Sequence, residues 1–518
     1  MKKIIVLFAS VALLAGVSSC NLDTDPTDKV GTGQMFETVD GGIAALNGIY
    51  RNFYTADWSS YATENFGPAS VQMVADLMGE DFVEREPGSY WFYYDYRYWV
   101  REEINNQGDR PYAFWSMFYQ YINNANAIIV HIDAADGGQG EKDNVKAQAL
   151  TIRAYSYFNL IRFYQRTYIG HQNDPGVPLY LEPTTNKTEG KGRGTVEETY
   201  TQINADLDEA IRLFASSGIS QSHKSHADLY VAYGLKSRVA LTQEKWDVAA
   251  NAAAEARKKP GLALMDSKML LEGFNSVGNA EWMWGSEIID SQATSWYSFF
   301  NHMDASAGGH AERARKIASS WLYAMIDDDD VRKAWFVAPT GKPMLEEDEL
   351  GPNVSHNQLK FTVKAKGSWA SDYLYMRGVE LYLNEAEALC HQGKYAEARA
   401  LIKQVGEIRY SDYNARLSKV TDSKELTLRS SESMNVVTLM DEIILQRRIE
   451  LWGEGFRIFD IMRLKTGFVR DFPDIESNHE MGALFDIDDP ESWEWIMMLP
   501  MTEFDGNPNM IYDRDQNP

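Results

Sequence analysis

Apolar residues at Met376, Val379, Leu383, Ala386 and Cys390 step by three and four, the spacing that gathers them on one face of a helix. After Gly393 the pattern resumes at Tyr395, Ala398, Ile402 and Val405, so a second helix turns back on the first. Ala386 is small enough for close approach, Gly393 permits the tight turn, and Tyr395 with Ala398 opens the second helix, as in a tetratricopeptide pair. Trp246, Ala249, Ala253 and Ala256, closing near Pro260, repeat the second-helix pattern behind a helix over 227–242. The spacing predicts further long helices over 112–132 and 144–168, separated by Gly137-Gly138-Gln139-Gly140. Another starts at Thr195, where Thr195 and Glu198 form a capping box. The expected fold is mainly α, a tetratricopeptide-like helical repeat scaffold with long irregular loop insertions. The largest interruption, roughly 261–371, is rich in Gly, Trp and acidic residues and poor in helical period. Repeats act as scaffold and the loops between them carry contacts, so function is sought in the interruptions.

At the start of the chain, Lys2 and Lys3 precede an apolar run from Ile4 to Leu14, and Ser18 and Ser19 precede Cys20. This is the order of a secretory signal. The run is too short to cross a bilayer, which takes about 20 residues. Val17-Ser18-Ser19-Cys20 resembles the bacterial lipobox, in which the cysteine thiol carries diacylglycerol. Each buried methylene adds roughly 0.8 kcal/mol, so several acyl chains hold where one does not. The expected organisation is a signal peptide over 1–19, an acidic tether over 20–35 lipidated at Cys20, an N-terminal helical-repeat region over 36–260 and a C-terminal region over 261–518.

Loss of Lys2 and Lys3 takes the formal charge from −25 to −27. So acidic a body argues against nucleic acid and against anionic lipid as partners. Cys390 is the one cysteine left after Cys20 is lipidated, so no intramolecular disulfide forms and the core must supply the stability.

Near the C-terminus the chain reads Gln446-Arg447-Arg448-Ile449-Glu450-Leu451-Trp452-Gly453-Glu454-Gly455-Phe456-Arg457-Ile458-Phe459-Asp460-Ile461-Met462-Arg463-Leu464. This resembles the signature of the SusD/RagB family, surface lipoproteins that work with TonB-dependent transporters in nutrient uptake. Ala44-Ala45-Leu46-Asn47-Gly48-Ile49-Tyr50, Arg153-Ala154-Tyr155-Ser156-Tyr157-Phe158 and Gly194-Thr195-Val196-Glu197-Glu198 extend the resemblance, as do Pro500, Glu503, Asn507-Pro508 and Gln516-Asn517-Pro518. The signature itself is expected to be structural, a helix in which Arg447, Arg448, Glu450 and Arg457 pair with neighbouring charges while Ile449, Trp452, Phe456 and Phe459 pack inward. The resemblance implies a glycan-binding protein at the outer face of the outer membrane, held by lipid, that delivers cargo to a SusC-like TonB-dependent transporter. A peptide cargo and a helical glycoside hydrolase are the alternatives; no carboxylate pair is marked as acid and base, and the expectation is a non-enzyme.

Between Tyr90 and Trp99 every residue except Asp95 and Arg97 is aromatic, more rings than one helix face buries. Trp91 and Tyr93 are the expected exposed members. Flat rings suit the C–H faces of pyranoses, while Asp, Asn and Arg serve their hydroxyls. The interruption adds Trp282, Trp284, Trp296, Tyr297 and Trp321. In glycan-binding members of the family loops from both regions form an aromatic arc, and by that resemblance Trp91, Trp296 and Trp321 are the candidates. The run Asp327 to Asp330 offers oxygen ligands without EF-hand spacing and reads as a solvated run or helix end. His223 and His226 lack the companions of a zinc site, Gly190 to Gly194 lacks the Walker lysine followed by Ser or Thr, and neither H-E-x-x-H nor G-x-S-x-G occurs. No metal or cofactor is called for.

Overall fold

A computed structural model of the chain describes residues 32–56, 62–85, 91–99, 110–294, 296–342, 348–430 and 434–518. Cys20 and the signal segment lie outside the described residues. The long helices are α1 (Val39–Asn52), α2 (Arg110–His131), α3 (Gln139–Tyr164), α4 (Val196–Ser217), α5 (Leu229–Thr242), α6 (Trp246–Ala256), α7 (Gly378–His391), α8 (Tyr395–Arg409), α9 (Leu439–Glu450) and α10 (Arg457–Leu464). From α2 to α8 each helix packs on the next. The insertion between α6 and α7 therefore interrupts the repeat in sequence alone, because α6 meets α7 directly. Ala249, Ala386 and Ala398 are fully buried at these contacts, where small side chains let the axes approach.

Local chemistry sets the helix ends. Thr195 accepts from the Glu198 N–H at 3.0 Å while Glu198 accepts from Thr195 N–H at 2.7 Å, the reciprocal cap expected for α4. The helix placed at 144–168 instead runs from Gln139 to Tyr164, with Gly140 inside it. Glu141 reaches back to the Gly138 N–H and so starts the helix five residues earlier than the glycines imply. Across α3 and α4, Arg153 makes a fork of two bonds, 2.8 and 2.6 Å, to buried Asp206. The last four residues of the expected tether, Thr32–Met35, form a helical turn, and Met35 packs on the core.

Strands β1 (Phe82–Arg85), β2 (Trp282–Ser286), β3 (Arg315–Ala318) and β4 (Tyr373–Arg377) form two antiparallel pairs, β1 with β3 and β2 with β4. The insertion is thus stitched to the segment before α2 at one end and to the start of α7 at the other. One large apolar cluster includes residues from Phe36 to Met510.

The signature is two helices rather than one. Between α9 and α10, Gly453 and Gly455 hold φ of 78° and 84°. A Cβ at Gly455 would stand 2.5 Å from the Gln72 Cα, so only glycine fits this approach. The expected pairings are present and buried: Arg447 to Asp460 at 2.6 Å, Arg448 to Asp81 at 2.6 Å, and Arg457 to Glu80 at 2.5 Å. Glu450 gathers Arg332, Arg377 and Arg409 at 2.8 to 2.9 Å, and these cations hold its carboxyl, despite burial, well below the usual range. Ile449, Trp452, Phe456 and Phe459 are buried. The run Asp327 to Asp330 is distributed: Asp327 pairs with Arg416, Asp328 with Lys333 at 2.7 Å, Asp329 accepts from Ser411 at 2.7 Å, and Asp330 with Arg332 at 2.6 Å. These carboxylates do not converge on a common point of coordination.

Candidate functional site

The aromatic run folds as a short knot, with one helical turn at Tyr93–Tyr96. Phe92 and Tyr98 adopt φ near +60°, an uncommon conformation for bulky residues that neighbouring bonds must hold in place. Arg110, at the start of α2, supplies that hold. It binds both oxygens of buried Asp95 at 2.9 Å and lies over the Phe92 ring. Tyr96 shares a 2.6 Å bond with His479, and Tyr98 donates to the Met78 carbonyl. The knot splits the run: Phe92, Tyr93 and Tyr96 face the core, Trp91 and Tyr94 are half-buried, and Trp99 is 48% exposed.

Trp91 and Trp296 are brought together around His310. The His310 ring centroid is 3.7 Å from that of Trp91 and 5.6 Å from that of Trp296, and His302 stacks behind it at 4.6 Å. The Trp296 ring is 62% exposed, the most open tryptophan among the described residues. His310 is fixed by its backbone N–H to Asn301 at 2.8 Å and by Nε2 donating to the Trp296 carbonyl at 3.3 Å. His302 Nε2 donates to the Thr63 carbonyl at 2.7 Å. Burial lowers the pKa of both imidazoles, so both are neutral at pH 7 and the rings meet as an uncharged stack.

Under this stack lies a layer of buried ionisable groups. Glu84 on β1 sits directly across from Lys316 on β3, 3.4 Å apart, with neither side chain exposed. Burial, opposed by Lys316, pushes Glu84 up to about 8, and burial opposed by Arg110 pushes Glu64 up to about 7. Glu64 is bonded by Arg110 at 2.8 Å, whereas Glu84 has Lys316 beside it but no hydrogen bond to either oxygen. What lies exposed above them is the ring of Trp296.

Two expected members do not face solvent. Trp321 is 1% exposed, in a short helix (Ser320–Met325), with the Arg448 guanidinium 4.2 Å from its ring centre. Tyr93 is 6% exposed, with Arg97 over its ring. A sugar cannot reach either face, because signature and knot residues cover them. Trp282 and Trp284 are also buried, on β2. Sequence reasoning passed over Trp99, which stacks on Tyr94 at 5.8 Å beneath the Arg97 guanidinium, and His310. Trp99 lies in the aromatic run already singled out, whereas His310 carries no signal in the sequence.

Residues 69–241 match a family model described as starch-binding associating with outer membrane, and residues 349–516 match the SusD family model. SusD-like protein P2 of Formosa agariphila is 24% identical over 501 residues, covering 90% of this chain and 92% of that protein. Among solved structures, a SusD-like carbohydrate binding protein from Bacteroides vulgatus shares the fold with a TM-score of 0.75 at 24% identity, over 92% of this chain and 98% of that one. A SusD superfamily protein from Bacteroides thetaiotaomicron does so with a TM-score of 0.74 at 22% identity, over 93% and 100%. With the repeat scaffold, the paired charges of the signature and two family models in chain order, one ending before the insertion and one beginning within it, the chain belongs to the SusD/RagB family.

Proposed function

We propose that this protein is a surface glycan-binding lipoprotein, anchored through Cys20 at the exterior of the outer membrane, that captures oligosaccharide or polysaccharide and passes it to a SusC-like TonB-dependent transporter. The observation that carries the reading is the exposed Trp296 ring with half-buried Trp91 nearby, both packed on the buried, neutral His310 imidazole. Aromatic faces of this kind suit the C–H side of a pyranose. The glycan-binding names of relatives favour the same cargo. Binding without catalysis is favoured by the carboxylates beneath the rings: Glu84, Glu64 and Asp95 are tied to Lys316 and Arg110 and do not flank the open face as an acid and base would.

The test is native gel retardation of the soluble body, begun after Cys20, against a panel of polysaccharides. One polymer is expected to retard the wild type, and Trp296→Ala to abolish the shift. No shift with any polymer, or an unchanged shift in Trp296→Ala, rejects the reading. Cys20→Ala in the full chain is expected to release the protein from the membrane fraction.

A further inference from the structure

Helix α2 presents Tyr112, Trp115, Tyr119 and Asn123 on one face, spaced by three and four, and this face lines a cavity of about 390 Å³. That volume falls in the range of ordinary small-molecule sites, about 300–1,000 Å³. The opposite walls are the loop through Thr184 and Gly190 and the short helix Met501–Gly506. None of these residues belongs to the Trp296 face.

The polar groups here are held in place. Glu503 accepts from Trp115 Nε1 at 3.1 Å on one oxygen and from Asn507 Nδ2 at 2.7 Å on the other. Asn507 is itself buried, with Nδ2 also donating to the Lys191 carbonyl at 2.8 Å. Gly190 makes this possible, since a Cβ there would stand 2.1 Å from Asn507 Oδ1. Across the cavity, Asn123 Oδ1 accepts from the Thr184 N–H at 2.7 Å and its hydroxyl at 3.1 Å. Its Nδ2 donors are left without a partner among the described residues.

The lining decides the ligand class. Among the described residues no lysine or arginine lines the cavity and Glu503 is the one ionised group, which disfavours phosphate, sulfate and carboxylate ligands. An alkylammonium would suit the rings and Glu503 but has no acceptor for Asn123. A sugar hydroxyl both donates to Glu503 and accepts from Asn123, while the ring C–H groups lie on Trp115 and Tyr119. We propose that this cavity is a second carbohydrate site, sized for one neutral pyranose ring and independent of the Trp296 face.

The test is calorimetric titration of the soluble body with neutral monosaccharides (glucose, galactose, mannose and xylose), and with glucuronate and choline. One neutral sugar is expected to bind in the millimolar range, with no heat from glucuronate or choline. Gly506 lines the cavity and a Cβ there meets nothing within 4 Å, so Gly506→Leu places its side chain from an open position at the cavity wall. It is expected to weaken the sugar at least tenfold at an unchanged unfolding midpoint. Asn123→Ala is expected to weaken the sugar likewise, with a lowered midpoint from the two lost Thr184 bonds, and carries the test should the leucine variant not fold. The proposal is overturned if no monosaccharide binds, if choline binds in preference, or if both variants bind as the wild type does. The two readings fail separately, because retardation by polymer reports on Trp296 and titration with monosaccharide reports on Gly506 and Asn123.

Discussion

Asp76 joins segments almost four hundred positions apart, and its removal tests whether the signature is a structural device. It lies near the end of a short helix (Pro68–Leu77), and its carboxylate accepts from the backbone N–H groups of Phe456 and Arg457 on one oxygen, both at 2.9 Å, and of Gly455 on the other at 3.0 Å. Those are free donors at the head of α10, and the site is buried. Asp76→Ala strands all three. A buried donor left unsatisfied costs about 1–3 kcal/mol, so the loss is about 3–6 kcal/mol after partial relaxation. Asp76→Asn keeps an oxygen for two of the bonds and turns an amide N–H₂ toward the third, which costs about 1–3 kcal/mol. Burial, opposed by these N–H bonds, raises the wild-type carboxyl from 3.8 to about 6. The folded state therefore binds the proton more tightly than the unfolded one, and wild type gains stability as pH falls from about 6 to about 4. Asparagine does not titrate, so the gap between wild type and Asp76→Asn should widen by roughly 3 kcal/mol over that window. Urea unfolding followed by circular dichroism at pH 4, 5, 6 and 7 measures both effects. An alanine variant within about 1 kcal/mol of wild type would refute the capping role.

Trp321→Ala should cost about 3–5 kcal/mol in urea unfolding because the ring is fully buried under Arg448. Trp296→Ala, by contrast, should leave stability within about 0.5 kcal/mol and act on glycan binding alone. Gly455→Ala should destabilise by more than about 1 kcal/mol, from both the positive φ and the clash with Gln72, read as a lowered unfolding midpoint. Glu80 titrates with the opposite sign to Asp76: burial raises it, but Arg457 and Arg448 outweigh burial and bring it down to about 2. Its stabilisation is present above about 4.5 and lost as pH falls toward 2, so the deficit of Glu80→Gln, read by urea unfolding, should shrink over that range.

The repeat scaffold was legible because it rests on spacing. Ala386, Gly393 and Ala398 announce a close helix pair without any knowledge of the remainder, and Thr195 with Glu198 marks a helix start through bonds made within four residues. Features that depend on distant partners were not legible in this way. The signature reads as one helix until Gln72 and Phe361 are seen crowding Gly455 and Gly453, and α3 begins early because of a single glutamate bond to Gly138. The same division runs through the candidate site. Trp91, Tyr93, Trp296 and Trp321 are equivalent as residue types in aromatic, acidic surroundings, and what separates them is which cation lies over which ring. Arg448, fixed by Asp81 and Glu80, covers Trp321, whereas Trp296 leans against a neutral histidine and stays exposed. The buried charges of the signature therefore do more than hold the fold. By drawing one tryptophan into the core they determine which aromatic residues remain for a ligand, so a substitution at Asp81 or Arg448 should alter the binding surface without touching it.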